Sequence, residues 1–263
     1  MTVKEMNENF HQLKAESDIF DINCYIPNFY DEFLEETPAT PEQILKEGVS
    51  RLVLADKNCI SDANRVEANE NLLKRVAGND AFYAAPIIAA EQHLIGENFA
   101  EYLDHLIKNK SVIIRVFPKD FKHSLKKWQM GDIYSAMQER KIPLMVWHTQ
   151  TDWDTLAEVA EDFPEMPIIL EGSDQKTIYY ARDVMGLCER YKNIYLEMHN
   201  FSQYQFFPYA LQYVGAERLL FGSFSPYNDM NGVLQMIFTH ASREQREMIL
   251  SKNAENLFAQ IVK

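Results

Sequence analysis

The sequence predicts a parallel (β/α)8 barrel, an α/β fold in which eight strands alternate with helices. Three observations predict it. Short apolar, β-branched or aromatic runs recur eight times along 263 residues, about 25 to 30 residues apart. Capped, amphipathic stretches lie between them. The length suits a fold that needs about 250 residues.

The first run is DIFDINCYI (18–26), followed by a longer connection over 27–48 expected to cover the barrel mouth or pack on its side. RLVLA (51–55) comes next, and then a helical stretch over 60–78, with Ser61 and Asp62 as N-cap residues and Gly78 as its stop. AFYAAPII (81–88) precedes a helix whose stripe is Phe99, Tyr102, Leu103 and Leu106. SVIIRVFP (111–118) and PLMVWH (143–148) flank another helix, and the stretch opening at Thr151 and Asp152 stops before Pro164. PIILEG (167–172), NIYLEM (193–198) and RLLFGS (218–223) complete the set. The last helix starts with a capping-box pattern, Ser242-x-x-Gln245. No Gly/Ser-rich or Pro-rich linker interrupts the chain, so residues 1–263 are read as a single barrel domain.

Composition narrows the function classes. Hydrophobic residues make up 46% and charged residues 25%, as in ordinary globular proteins. The 26 Lys and Arg against 39 Asp and Glu give a net charge of −13, which argues against nucleic acid and against an anionic membrane surface. Cys24, Cys59 and Cys188 lack metal-ligand spacing and read as free thiols. With no apolar signal core and no run of about 20 apolar residues, a cytoplasmic protein is expected. Gly222-Ser-Phe-Ser-Pro lacks the second glycine of a nucleophile elbow, and no phosphate-binding glycine fingerprint is present. Cys59 reads as an ordinary thiol near a loop rather than a nucleophile. The aromatic run 201–219, with Tyr204, Phe206, Phe207, Tyr209 and Tyr213, reads as core packing before subunit contact.

Strand alternation selects the candidate site. Asp21, Asn23 and Tyr25 oppose Ile22, Cys24 and Ile26, and the polar set should face the barrel interior. The same parity turns Arg115 inward, while Glu171, Glu197, His148 and His199 stand at C-terminal strand ends, where barrel active sites form. Such groups clustered at one barrel end point to a small-molecule site.

The chain resembles the amidohydrolase-related family, in its lactonase and decarboxylase branch. Gly222, Ser223 and Pro226 match that family's strand-eight pattern of Gly-Ser/Thr-Asp, one residue, then Pro. Asn253-Ala254-x-x-Leu257-Phe258 is similar to its terminal Asn-Ala-x-x-Leu-Phe. Phe117-Pro118, IPLMVWHTQ and FDINCYIP also fall at the family's places. The resemblance implies a divalent metal held by two strand-one histidines, a strand-five histidine, often a strand-six histidine and a strand-eight aspartate. Here the corresponding positions carry Asn23, Tyr25, His148, Glu171-Gly172 and Phe224. Only His148 remains, and one ligand cannot hold the ion. The expectation is therefore a degenerate metal site, with no metal and no cofactor.

The expected function is an amidohydrolase-like hydrolase of lactonase or decarboxylase type, acting without metal on a small carboxylated or cyclic substrate. His148 or His199 serves as base, Glu171 or Glu197 orients it, and Tyr25 polarises a carbonyl. Arg115 grips a carboxylate, and Asn23, Glu197 and Phe224 complete the substrate site. Two alternatives stand beside it. One is a non-catalytic ligand-binding barrel. The other is a metal hydrolase with a rebuilt site of His148, Glu171, Glu197 and His199 for a divalent cation such as zinc. The partner is a small molecule, and the resemblance leaves a homodimer open.

Overall fold

Parallel pairing runs around the whole molecule in the computed structural model, which describes residues 3–26, 40–61, 65–90, 98–172, 181–201 and 205–262. A first helix, α1 (Val3–Glu16), precedes β1 (Phe20–Ile26). Then follow α2 (Pro41–Lys46), β2 (Arg51–Asp56), α3 (Asn58–Ser61), α4 (Arg65–Ala77), β3 (Phe82–Ala84), β4 (Ile87–Ile88) and α5 (Phe99–Lys108). β5 (Ile114–Val116), α6 (Lys127–Arg140), β6 (Leu144–Trp147), α7 (Trp153–Asp162), β7 (Ile168–Glu171), α8 (Ala181–Arg190) and β8 (Ile194–Glu197) continue the alternation. The chain ends with α9 (Phe206–Tyr213), β9 (Leu219–Leu220), α10 (Met230–His240), α11 (Arg243–Glu247) and α12 (Asn253–Ala259).

The strands form two runs, β1-β2-β3 and β4 through β9, paired in parallel throughout. Parallel bridges at Ala84–Ser111 and Cys24–Ser225 join these runs and close the barrel. β3 and β4 together make the third predicted strand, broken at Ala85 and Pro86. Proline supplies no N–H to a ladder, which accounts for the break. The eight runs of the sequence thus occupy eight barrel positions.

Register separates the two faces. Ile114, Leu144, Ile168 and Ile194 are aligned across neighbouring strands, as are Val116, Val146, Leu170 and Leu196. These β-branched and leucine side chains are buried in the main core cluster. Arg115, Met145, Ile169 and Tyr195 form the aligned row of the opposite parity, and Trp147 pairs with Glu171 one layer higher. β1 carries an irregularity between Asp21 and Cys24, so its alternation is less regular than the sequence reading assumed.

The helix signals have local causes. Asp152 caps α7 by accepting from the Thr155 N–H at 2.8 Å. Ser242 and Gln245 make both bonds of a capping box. The predicted α5 stripe is buried. The single terminal helix expected from Ser242 onward contains a π-helical turn, Met248–Lys252, between α11 and α12. Of the connection over 27–48, residues 27–39 lie outside the described residues, and α2 packs beside β1 and β2. Asp62 and Tyr204 also lie outside them. Phe206 and Phe207 are buried, whereas Tyr209 and Tyr213 remain exposed. Among the described residues, no helix is long and apolar enough to cross a membrane.

Asn253, from the terminal motif, locks the last helix to the strand-eight entry. Its Nδ2 donates to the Ala216 carbonyl at 2.7 Å and the Leu219 carbonyl at 2.8 Å, and the residue is buried. Asn253→Ala removes the donor shared by two buried carbonyls, at a cost of about 1–3 kcal/mol. Urea unfolding should show a lower midpoint at unchanged slope. An unchanged midpoint would remove this anchor from the account.

Candidate functional site

The polar residues converge at the C-terminal ends of the strands. Arg115 from β5 donates through Nη1 to Asn23 Oδ1 at 2.9 Å and through Nη2 to Glu171 Oε2. Asn23 Nδ2 donates in turn to Glu171 Oε1 and Glu197 Oε2, each at 3.1 Å. Glu197 Oε2 also accepts from the Gly172 N–H at 2.8 Å and lies 2.7 Å from His199 Nδ1. Its Oε1 accepts from the His199 N–H at 2.8 Å. The Tyr25 ring lies against the guanidinium, 4.7 Å from its carbon. Asn23, Tyr25, Arg115, Glu171, Glu197 and His199 are all buried.

Burial alone disfavours these charges, yet opposite charges and hydrogen bonds reverse its sign here. Desolvation pushes the Glu197 carboxyl up, but His199 and the N–H donors hold it below the ordinary glutamate range. Desolvation pushes His199 down, but Glu197 raises it above an ordinary imidazole. Arg115 is held above its ordinary value by Glu171 despite desolvation. Burial pushes the Tyr25 phenol up, so it stays a neutral donor.

Two glycines leave room for Glu197. A Cβ on Gly222 would sit 2.1 Å from Glu197 Oε1. A Cβ on Gly172 would sit 2.7 Å from His199 Nδ1 and 3.1 Å from Glu197 Oε2. The sequence reading placed Gly222 in the strand-eight pattern and Gly172 at the strand-six position, without a reason for either to lack a side chain. Their role depends on a carboxylate from a different strand, which no local pattern reveals.

Phe224 takes the place where a strand-eight aspartate was sought. Its backbone is left-handed, with φ of 58°, and its N–H donates to the Asn23 carbonyl at 2.8 Å. The ring stacks on His199, with centroids 4.6 Å apart and planes at 16°. Tyr25, Trp147 and Tyr227 surround it at 5.3, 6.0 and 5.4 Å. Trp147 and Tyr227 were missed by the sequence reading, although Trp147 has the inward parity of β6.

His148 is displaced from its expected setting. It begins a 3-10 turn after β6, stacks on Trp153 at 5.6 Å, and lines a small cavity with Glu171 and Glu197. Beneath the cluster, Asp21 accepts from the Asn23 and Ser223 N–H groups, each at 3.0 Å, and from the Ser223 hydroxyl at 2.5 Å. Desolvation pushes Asp21 up to about 7, with Glu197 adding to the rise. Cys24, Cys59 and Cys188 form no disulfide among the described residues and are buried, and burial raises the Cys188 thiol to about 12.

Glu171, Glu197 and His199 bring one donor atom each within 4.8 Å of one another. Two hard oxygens and an imidazole nitrogen suit manganese or zinc, and three protein ligands are usual for catalytic zinc. His199 Nε2 is buried and has no hydrogen-bond partner among the described residues. The donor set therefore fits a divalent ion, which would share Glu171 with Arg115.

The model of the amidohydrolase family matches residues 25–260. No curated protein matches the sequence. Three solved structures illustrate the fold likeness. A dihydroxybenzoic acid decarboxylase from Polaromonas, with bound manganese and the inhibitor 2-nitroresorcinol, is 14% identical with a TM-score of 0.71, covering 92% of this chain and 97% of that one. A 5-carboxyvanillate decarboxylase from Novosphingobium aromaticivorans, complexed with manganese and 4-hydroxy-3-methoxy-5-nitrobenzoic acid, is 11% identical with a TM-score of 0.71, covering 93% and 97%. A 2,6-dihydroxybenzoate decarboxylase from Rhizobium is 14% identical with a TM-score of 0.69, covering 92% and 99%.

The expectation of no metal and no cofactor is overturned. It counted histidines at the family's positions, whereas Glu171, Glu197 and His199 form a buried donor group, and two of these neighbours contain manganese. Of the four residues in the rebuilt-site alternative, three belong to this group and His148 does not.

Two predictions test this geometry. Gly222→Ala forces its methyl into Glu197 and should cost at least about 1–3 kcal/mol, the range for overpacking. A chemical-denaturation midpoint equal to that of the parent would contradict the close approach. Asp21 binds a proton more tightly folded than unfolded, so its stabilising effect is complete below about pH 4 and lost as pH rises to about 7. Metal-depleted protein should accordingly lose stability relative to Asp21→Asn between about pH 4 and 7, by at most about 1.4 kcal/mol per pH unit. Parallel stability profiles for the two proteins would refute the shift.

Proposed function

The chain belongs to the amidohydrolase family, and from that premise we propose that it is a divalent-cation-dependent decarboxylase of small cyclic carboxylic acids. The observation that carries the reading is the Glu171, Glu197 and His199 group beside a fully buried arginine. An ion held by these three residues would supply Lewis-acid polarisation of a substrate oxygen.

The chain's own residues do the rest. Arg115 has its two Nη atoms engaged by Asn23 and Glu171, and its Nε, buried without a partner among the described residues, is the donor left for a carboxylate oxygen. Asn23 keeps the guanidinium and both glutamates in one network. Glu197 fixes the orientation of the His199 ring through Nδ1. Tyr25 offers a neutral phenol near the same guanidinium. The phenyl rings of Phe224 and Tyr227, with Trp147, give a flat ring an apolar surface.

Phe224 weighs against lactone hydrolysis, while decarboxylation needs a proton for the carbon that loses carbon dioxide, for which the neutral Tyr25 phenol is a donor at the mouth. Hydrolysis needs a base to take the proton of an attacking water. The strand-eight position that would carry such a carboxylate holds a phenyl ring stacked on His199. The same stacking supports the second reading, a barrel that binds its acid without turning it over.

Purified protein stripped with chelator and reloaded with manganese or zinc tests both. Carbon dioxide release from a panel of hydroxylated benzoic acids should depend on the added ion. Glu171→Gln, Glu197→Gln and His199→Ala should each weaken ion binding by at least about tenfold in calorimetric titration, as expected for loss of a direct ligand. Failure to bind either ion at millimolar concentration would sink the metal-dependent reading. Tight binding of ion and acid without carbon dioxide release would favour the second.

A further inference from the structure

Asp21 is a buried carboxyl that the proposed chemistry does not use. It is 0% exposed, stands two residues before Asn23 on β1, and has no cation beside it among the described residues. Burying such a group is costly, and an apolar side chain would fill the same space at less expense. Its hydrogen bonds show what it holds. Oδ1 accepts from two backbone N–H groups on different segments, Asn23 of β1 and Ser223 beyond β9, each at 3.0 Å. Oδ2 lies 2.5 Å from the Ser223 hydroxyl, which accepts in turn from the Ser225 N–H at 2.9 Å. The carboxyl thereby bridges the seam where β1 meets the last strand, at the point where β1 departs from regular register. Oδ1 can serve both N–H groups whether the carboxyl is ionised or protonated.

Both bridged segments lead to the donor group at the mouth. The Asn23 amide nitrogen donates to Glu171 Oε1 and Glu197 Oε2, each at 3.1 Å. Immediately before Ser223 stands Gly222, where a Cβ would lie 2.1 Å from Glu197 Oε1. Immediately after it, Phe224 donates its N–H to the Asn23 carbonyl at 2.8 Å and stacks on His199. A shift of either segment therefore moves groups in contact with Glu171, Glu197 and His199.

We propose that Asp21 is a positioning residue: its carboxyl oxygen fixes the backbone at Asn23 and Ser223 and, through them, the Asn23 amide and the geometry of the ion site. It touches neither ion nor substrate. The hold on Asn23 stands on hydrogen bonds alone, whereas the effect on the ion rests on the metal-dependent reading above.

The full chain, labelled with nitrogen-15 at asparagine, tests both parts. In metal-stripped protein the Asn23 side-chain amide resonances read the positioning, and calorimetric titration with manganese alone reads the ion site. Asp21→Ala should shift those resonances toward the values of a solvent-exposed asparagine and weaken manganese binding about tenfold, the lower end of the range for loss of an orienting partner. Asp21→Asn keeps the acceptor oxygen and should recover most of both. Asp21→Ser offers a shorter acceptor and should fall between, which keeps the test decisive if Asp21→Ala does not fold. Asn253→Ala, which loosens the chain away from the mouth, should leave both readouts at the parent values. Parent-like Asn23 resonances in every folded Asp21 variant would overturn the proposal, as would Asp21→Asn displaced as far as Asp21→Ala. Manganese affinity lost equally in Asn253→Ala would reduce the effect to general stability and overturn it too. If the parent binds no manganese while the Asn23 resonances respond as described, the metal-dependent reading falls and the positioning role stands.

Discussion

The arrangement of the barrel mouth depends on one carboxylate buried without contact to solvent. Glu197 is 0% exposed and accepts from a side-chain amide and two backbone N–H groups, with an imidazole nitrogen at 2.7 Å. An unpaired charge at such depth costs several kcal/mol, so each of these groups is constrained by the others. Asn23 must reach across from β1, Gly172 must turn its N–H inward after β7, and His199 must fold back over β8. Gly222 must carry no side chain at all. The local backbone of four barrel strands is thereby fitted around one functional group.

Asn23 shows why this network differs from a row of histidines. Its carbonyl oxygen accepts from Arg115 while its amide nitrogen donates to both glutamates. A neutral imidazole has one donor and one acceptor and cannot serve three partners in this way. An amide beside a guanidinium and two carboxylates therefore belongs to a set of donors different from the one the family resemblance implied. The oxygen-rich character of the Glu171, Glu197 and His199 group follows from that exchange.

Much of this was legible in the sequence because it depends on period and local chemistry. The eight apolar runs, the Asp152 cap and the Ser242–Gln245 box are written in neighbouring residues. Alternation likewise placed Asn23, Arg115, Glu171 and Glu197 on facing sides of one cluster, where hydrogen bonds join them. What escaped depends on contacts between distant segments or on a break in period. His148 leaves β6 for a turn, which moves it out of the donor group and leaves Trp147 as the inward side chain. The break between β3 and β4 depends on how Pro86 meets its neighbour, and the π-helical turn near Ile249 brings that carbonyl to the Phe221 N–H at 3.1 Å. The metal expectation failed for a related reason. Ligand counting by sequence position assumes that the donors keep their places, whereas coordination requires only that suitable atoms converge.

Phe224 then sets what chemistry such convergence can support. A non-glycine residue in the left-handed region costs of order 1–3 kcal/mol and persists only where its surroundings determine it. Here the Asn23 carbonyl fixes its N–H, and Tyr25, Trp147, His199 and Tyr227 enclose its ring. The conformation lays an apolar plane over the imidazole that an aspartate would have left hydrated and charged. With a phenyl ring at that position, the mouth lacks one carboxylate that could take a proton from water.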